Sequence, residues 1–330
     1  MPAPPPAPVR TAPERLLLRL EWRVLRRLEG RLAGGYRTAH RGTGTDLAGL
    51  RAYVEGDDAR HIDWNVTARL NEPQLRVFNE DRELTVWLVL DRSASMTVGA
   101  PGRGKHDVLT ELAVVLARMF SRGGNQVGAL LYDNGAVRTV PPGSGRRHVL
   151  QIAAELSRVA PGGERAKRFE REQKRALLSG RRSEGAREAQ RYRSTTDLAA
   201  MLDAVAKLAR RRALIIVISD FIGDGDWERS LLRLGPRHEI VALRVVDEAD
   251  DQLPDVGLVV VEDAETGEQL IVDSGDPLLR ARLRAAVEER DAVLAGGMRR
   301  VGVPMHRIDT TADLATALVE VVASTKRRRL

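Results

Sequence analysis

Leu84-Thr-Val-Trp-Leu-Val-Leu-Asp-Arg-Ser-Ala-Ser-Met96 is the stretch on which the fold turns. Its first half is apolar without polar alternation, the pattern of a strand buried on both faces of a parallel sheet. The run stops at Asp91, Ser93 and Ser95, three oxygen-bearing side chains at alternate positions. Ligand sites in α/β sheets gather beyond the carboxyl ends of the strands. One carboxylate and two hydroxyls form a hard-oxygen set suited to Mg²⁺, which makes this loop a candidate metal site.

Downstream the pattern alternates. Residues 106–120 read as a helix, 126–132 as a second buried strand, 136–140 as an edge strand beyond the turn Asp133-Asn-Gly135, and 148–159 as a helix. Regularity resumes with a helix over 197–210, and Ala213 to Ile218 is a third buried strand that ends in Ser219-Asp220. A strand at 239–246, a hairpin of 258–262 with 268–272, a helix over 278–294, a strand at 305–308 and a closing helix over 312–322 complete the series. Strands alternating with helices predict an α/β fold with a doubly wound, mostly parallel sheet.

Upstream, leucines and valines at helical spacing from about Pro13 to Leu32 predict an amphipathic helix that packs on the main domain. Residues 36–77 show little periodicity. Within them Asp57, Asp58, His61 and Asp63 suggest a metal cluster, but Gly56-Asp57-Asp58 reads better as a turn and the charges as a network bracing a loop. Gln74 to Val77 reads as a short strand leading into the central one. The expected organisation is a Pro/Ala tail at 1–13, extended and disordered, an N-terminal extension at 14–82, the α/β domain at 83–325 with a charged insertion at 161–194, and a basic tail at 326–330.

Composition narrows the function. With 330 residues, 43% of them hydrophobic, the chain can bury a real core. It has no cysteine, so disulfides, thiolate-bound zinc and thiol catalysis are excluded. No apolar stretch approaches the ~20 residues of a membrane span, and the Pro-rich start lacks the apolar core of a signal peptide, so a cytoplasmic location is expected. The net charge of +7 is concentrated: residues 161–194 carry eleven basic residues against five Glu, and Lys326 to Arg329 add four more. The rest is slightly acidic and only 4% of residues are aromatic, which argues against nucleic acid as the partner.

Two strand ends thus carry oxygen ligands, and Ser194-Thr195-Thr196-Asp197 at a helix start is a third source. If the strands of Asp91 and Asp220 are neighbours, right-handed crossovers open all three loops on one rim. Asp91-x-Ser93-x-Ser95, then Thr196-Asp-Leu, then Ile218-Ser-Asp220 resembles the metal-ion-dependent adhesion site of von Willebrand factor type A domains. More narrowly, Gly56-Asp-Asp-Ala-Arg-His-Ile-Asp-Trp64, Ala68-Arg69 and Asp91-Arg-Ser-Ala-Ser-Met96 resemble the bacterial family catalogued as domain of unknown function fifty-eight, over about Tyr36 to Val322.

The resemblance implies a non-catalytic protein-binding module. Ser93, Ser95 and Thr196 (or its neighbour Thr195) would bind Mg²⁺ or Mn²⁺ through hydroxyls, and Asp91 and Asp220 would act mostly through bound water. Few direct carboxylates leave the ion electrophilic, ready for an Asp or Glu from a client protein. It also implies partnership with a MoxR-type AAA+ ATPase in a chaperone-like system. One departure stands out, because Phe221 follows Asp220 where many members of the broader class have Gly.

The main enzyme alternative is a nucleotide-binding P-loop at Gly99-Ala-Pro-Gly-Arg-Gly-Lys105. It lacks the Ser or Thr that should follow the lysine to hold Mg²⁺, having His106 instead, and the strand ends eight residues before Gly99 rather than running straight into the loop. Ser95, Asp220 and His306 occur in an order permitted to a serine hydrolase, yet no G-x-S-x-G elbow surrounds the serine.

Overall fold

A computed structural model describes residues 12–20, 41–42, 46–55, 57–79, 84–97, 103–133, 136–158, 196–223, 225–262 and 269–327. The chain forms two compact units, a larger one of Met1–Arg31 with Thr85–Leu330 and a smaller one of Leu32–Leu84.

The first described element is helix α1 (Ala12–Leu20) of the larger unit. The smaller unit is a three-stranded antiparallel sheet in the order β1-β3-β2, from β1 (Arg41–Gly42), β2 (Asp46–Ala52) and β3 (Gln74–Asn79), with helix α2 (Trp64–Leu70) between β2 and β3. This bears on two expectations. Gln74 to Val77 forms the expected strand, within β3, which pairs with β1 and β2 and precedes the central strand in the chain. The stretch taken as aperiodic also holds β1, β2 and helix α2, whose N-cap Asp63 accepts from the Asn65 and Val66 amides.

The larger unit is built on a six-stranded sheet in the order β11-β8-β7-β4-β5-β6. Strand β4 (Thr85–Asp91) is followed by helix α3 (Lys105–Arg122), then β5 (Gln126–Asp133), β6 (Ala136–Gly143) and helix α4 (Gly145–Ser157). Helix α5 (Leu198–Leu208) leads into β7 (Ala213–Ser219), helix α6 (Trp227–Leu234) and β8 (Glu239–Val246). The short helix α7 (Glu248–Asp251), the ribbon β9 (Leu258–Glu262) with β10 (Gln269–Asp273), helix α8 (Pro277–Arg300), β11 (Met305–Asp309) and helix α9 (Leu314–Arg327) end the chain. All central pairings are parallel except that of β5 with the edge strand β6. The expected mostly parallel α/β sheet is therefore present.

Burial follows from the apolar runs. Val86 to Leu90 and Ala213 to Ile218 are buried along their length because helices cover both faces. Trp87, Val89, Ile215 and Val217 pack with Leu198, Met201, Leu202, Leu231 and Met298 from α5, α6 and α8. The alternate residues Val86, Leu88 and Leu90 point to the other face, where α3 packs on β4 and β5 and is itself flanked by α1 and α4. Trp87 fits because its cross-strand neighbour is Gly128, where an added Cβ would lie 3.0 Å from the indole.

Helix α6 has no counterpart among the predicted elements. It is short and capped by Asp226, which accepts from the Arg229 amide. The charged insertion at 161–194, most of the 1–13 tail and the second half of the predicted N-terminal helix lie outside the described residues.

Candidate metal centre

Strand β4 is flanked by β5 and β7, with Leu90 opposite Leu131 on one side and Ile218 on the other. This neighbour relation places the Asp91 turn and the Ser219-Asp220 turn at the same carboxyl rim, in the middle of the sheet. Asp91 and Ser93 are fully buried, and Ser95 is nearly so.

Hydrogen bonds shape the turn. Asp91 Oδ1 accepts from the Ser93 amide at 2.9 Å, an Asx turn that folds the chain back immediately after the strand. Asp91 Oδ2 accepts from Ser219 Oγ at 2.6 Å, tying β4 to β7. Ser93 Oγ and Ser95 Oγ lie 3.0 Å apart and share a hydrogen bond, which holds the two hydroxyls side by side. Arg92, between Asp91 and Ser93 in sequence, donates to the Arg158 carbonyl at 2.7 Å, closing the end of α4. Burial, and next the Asp220 charge, push the Asp91 carboxyl up to about 7, against the pull of its Ser219 and Ser93 hydrogen bonds.

Asp220 is the second carboxylate, 1% exposed. Its Oδ1 accepts from the Ile222 amide at 3.0 Å, and its Oδ2 accepts from Lys105 Nζ at 3.0 Å. Its main-chain carbonyl accepts from Arg244 Nε at 3.2 Å. Phe221 adopts φ 56°, the left-handed conformation that Gly takes easily, and its amide donates to Ser219 Oγ at 2.8 Å. The bend that Gly would supply is therefore made by a strained phenylalanine, which the local hydrogen bonds and its burial hold in place.

Thr196 is fully buried at the start of α5, where Asp197 caps the helix by accepting from the Ala200 amide at 2.8 Å. An added Cβ on Gly223 would collide with the Thr196 carbonyl oxygen, so this loop rests directly on the one that carries Asp220. Thr195 lies outside the described residues.

Among the described residues no three His, Cys, Asp or Glu converge on a possible metal position. A cation here would depend on hydroxyls: Asp91, Ser93 and Ser95 share one buried turn with hard oxygens only, and Thr196 is buried against the loop that follows Asp220. The residues fit Mg²⁺ better than a softer metal.

The other candidates are structural. Asp57 makes a two-pronged pair with Arg51 at 2.6 and 2.7 Å and accepts from the Val54 amide. Asp58 caps a short turn through the Arg60 amide, and Asp63 pairs with Arg76 at 2.9 Å. These contacts hold both Asp57 and Asp63 below the usual carboxylate range, each first through its arginine. In the P-loop candidate, residues 99–102 lie outside the described residues, but Lys105 is 1% exposed and its ammonium is shared by Asp220 and Asp250.

Sequence reasoning did not foresee Lys105, Asp250 and Arg244 as neighbours of this site. The one available signal was the acidic run Asp247-Glu-Ala-Asp-Asp251 directly beyond a buried strand.

Comparison with known proteins gives the family but no activity. A family model described as protein of unknown function DUF58 matches residues 49–293. Uncharacterized proteins of Mycobacterium tuberculosis and Mycobacterium bovis are each 35% identical over 314 residues, covering 94% of this chain and 89% of theirs. Among solved structures, a conserved hypothetical protein BatB from Bacteroides thetaiotaomicron aligns with TM-score 0.42 and 14% identity, over 74% of this chain and 99% of that one. An aerotolerance-related membrane protein from Bacteroides fragilis aligns with TM-score 0.41 and 14% identity, over 73% of this chain and 99% of that one. With a family model spanning most of its length and relatives at this identity, the chain belongs to the DUF58 family.

Proposed function

We propose that this chain is a von Willebrand type A-like, non-catalytic binding module that holds Mg²⁺ or Mn²⁺ at Asp91, Ser93, Ser95, Thr196 and Asp220 and uses the ion to capture a carboxylate of another protein. The observation that carries this reading is the pair of hydroxyls, Ser93 Oγ and Ser95 Oγ, 3.0 Å apart and buried beside Asp91 at the rim of the central sheet. Hydroxyls are weak neutral donors, so an ion held by them keeps much of its charge for an incoming anion.

The ion, when bound, supplies that positive charge; the protein's residues supply its setting. Asp91 braces the turn through Ser93 and Ser219, while Asp220 has both oxygens engaged, by Ile222 and Lys105, and acts on the ion through water. The partner we infer is a MoxR-type AAA+ ATPase, with a client protein supplying Asp or Glu. A cytoplasmic location accords with a partner that consumes ATP.

The test is calorimetric titration of the metal-stripped protein with Mg²⁺ and Mn²⁺, in wild type and Asp91→Ala, with ATP in parallel. Binding of a MoxR-type ATPase is then measured in Mg²⁺ and in EDTA. Metal binding lost in the variant, with partner binding lost in EDTA, is the expected result. Equal partner affinity in both buffers rejects the metal bridge.

A further inference from the structure

Lys105 is the first residue of α3 and belongs to no donor set read from the sequence, yet it is 1% exposed and sits against the candidate centre. Its ammonium lies 3.0 Å from Asp220 Oδ2 and 2.9 Å from both oxygens of Asp250. A fixed positive charge at hydrogen-bond distance from a residue meant to serve a divalent cation opposes that cation. Such an arrangement calls for a physical explanation.

The groups around the lysine are themselves anchored. Gly104 precedes it as N-cap, with the Gly104 amide donating to Asp107 Oδ2 at 3.2 Å, so the first turn of α3 is set. Asp250 is anchored from the far side, because its Oδ2 accepts from the Asp247 amide at 3.3 Å and Asp247 Oδ2 accepts from Thr310 Oγ1 at 2.7 Å. Asp220 is held in turn by Arg244, whose other end donates to Asp291 Oδ1 at 2.6 Å. Within the fold the Lys105 ammonium is committed to these two carboxylates.

We propose that Lys105 is a built-in counter-charge that confines Asp220 to a water-mediated role and keeps the resting affinity of the centre for divalent cations low. The idea rests on the metal reading of the site given above. It explains why a centre with two buried carboxylates can still leave its ion short of negative charge, the condition under which an outside carboxylate binds. By reciprocity, whatever the ion adds to the affinity for the acidic partner, the partner adds to the affinity for the ion.

The test is Mn²⁺ titration followed by electron paramagnetic resonance and calorimetry, with far-ultraviolet circular dichroism to confirm folding. Lys105→Met removes the ammonium and keeps the apolar stem; Lys105→Met with Asp250→Asn removes one charge of each sign and guards against failure of the single variant to fold. The single variant is expected to bind Mn²⁺ at least about tenfold more tightly than wild type, since repulsion between a unit charge and a divalent ion at close range exceeds that even at protein-like dielectric. The double variant is expected to bind more tightly than wild type as well, through the freed Asp220. Wild type that binds Mn²⁺ while a folded variant binds it equally or more weakly overturns the counter-charge and leaves the metal reading standing. Absence of Mn²⁺ binding in wild type and in both variants overturns the metal reading, and the counter-charge with it.

Discussion

The Lys105 ammonium and the Asp220 carboxylate meet at 3.0 Å with each side chain only 1% exposed, joining the first turn of α3 to the end of β7 across the rim of the sheet. Burial disfavours the charged lysine, but the Asp220 and Asp250 charges outweigh it and hold its ammonium above the usual lysine range. A buried pair of this kind contributes little net stability over an apolar substitute, yet losing one partner strands the other.

Lys105→Ala is therefore expected to cost about 3–5 kcal/mol in urea unfolding, because two carboxylates lose their shared cation. Lys105→Arg, which keeps the charge, should cost clearly less. A loss of under about 1 kcal/mol in the alanine variant would show that water replaces the ammonium and that the site is open.

Asp91 sets a pH dependence. Its value of about 7 in the fold stands above its ordinary 3.8, so the stability it contributes is complete below about 4 and is lost as the pH rises through 7. A cation must displace that proton, so Mg²⁺ affinity should rise from pH 5.5 to pH 7.5 and level off. Asp91→Asn removes the charge and keeps the shape. In EDTA at pH 8 it should be at least as stable as wild type by thermal unfolding, and it should gain nothing from added Mg²⁺.

Phe221 exchanges backbone strain for burial, with φ 56° and 9% exposure. Truncation to Ala loses the packing and keeps the strain; truncation to Gly loses the packing and relieves it. Phe221→Gly should thus be more stable than Phe221→Ala by about 1 kcal/mol, the reverse of their usual order. The Ala variant proving the more stable would mean that the loop relaxes out of the left-handed region.

Gly223 faces the Thr196 backbone with no room for a methyl group. Gly223→Ala should lower stability by about 1–3 kcal/mol and, by displacing Thr196, weaken Mn²⁺ binding while Asp91 is intact. Unchanged Mn²⁺ affinity in a destabilised variant would remove Thr196 from the donor set.

Much of the fold was legible because its signals are local. Apolar runs such as Trp87 to Leu90 and Ile215 to Ile218 report burial on both faces, and helical spacing over 106–120 reports a covering helix. The smaller unit was read poorly for the opposite reason: β2 and β3 are half-polar strands whose evidence is their pairing with each other, from Ala52 opposite Gln74 to Asp46 opposite Asn79. Helix α6 escaped notice because it is only eight residues long and its cap, Asp226, is indistinguishable in sequence from a loop aspartate.

By itself, the order of residues determined the alternation of strands and helices, the oxygen-rich ends of two strands, and the Asp91-x-Ser93-x-Ser95 turn, since a strand end and an Asx turn depend on neighbours a few residues away. The tertiary structure alone decided that β4 and β7 lie side by side, that Ser219 holds Asp91, and that a lysine resembling part of a P-loop is buried between Asp220 and Asp250. Those partners are 115 to 145 residues from Lys105 in the chain. Only the strand order of the folded sheet, fixed by burial of both its faces, brings them within a hydrogen bond.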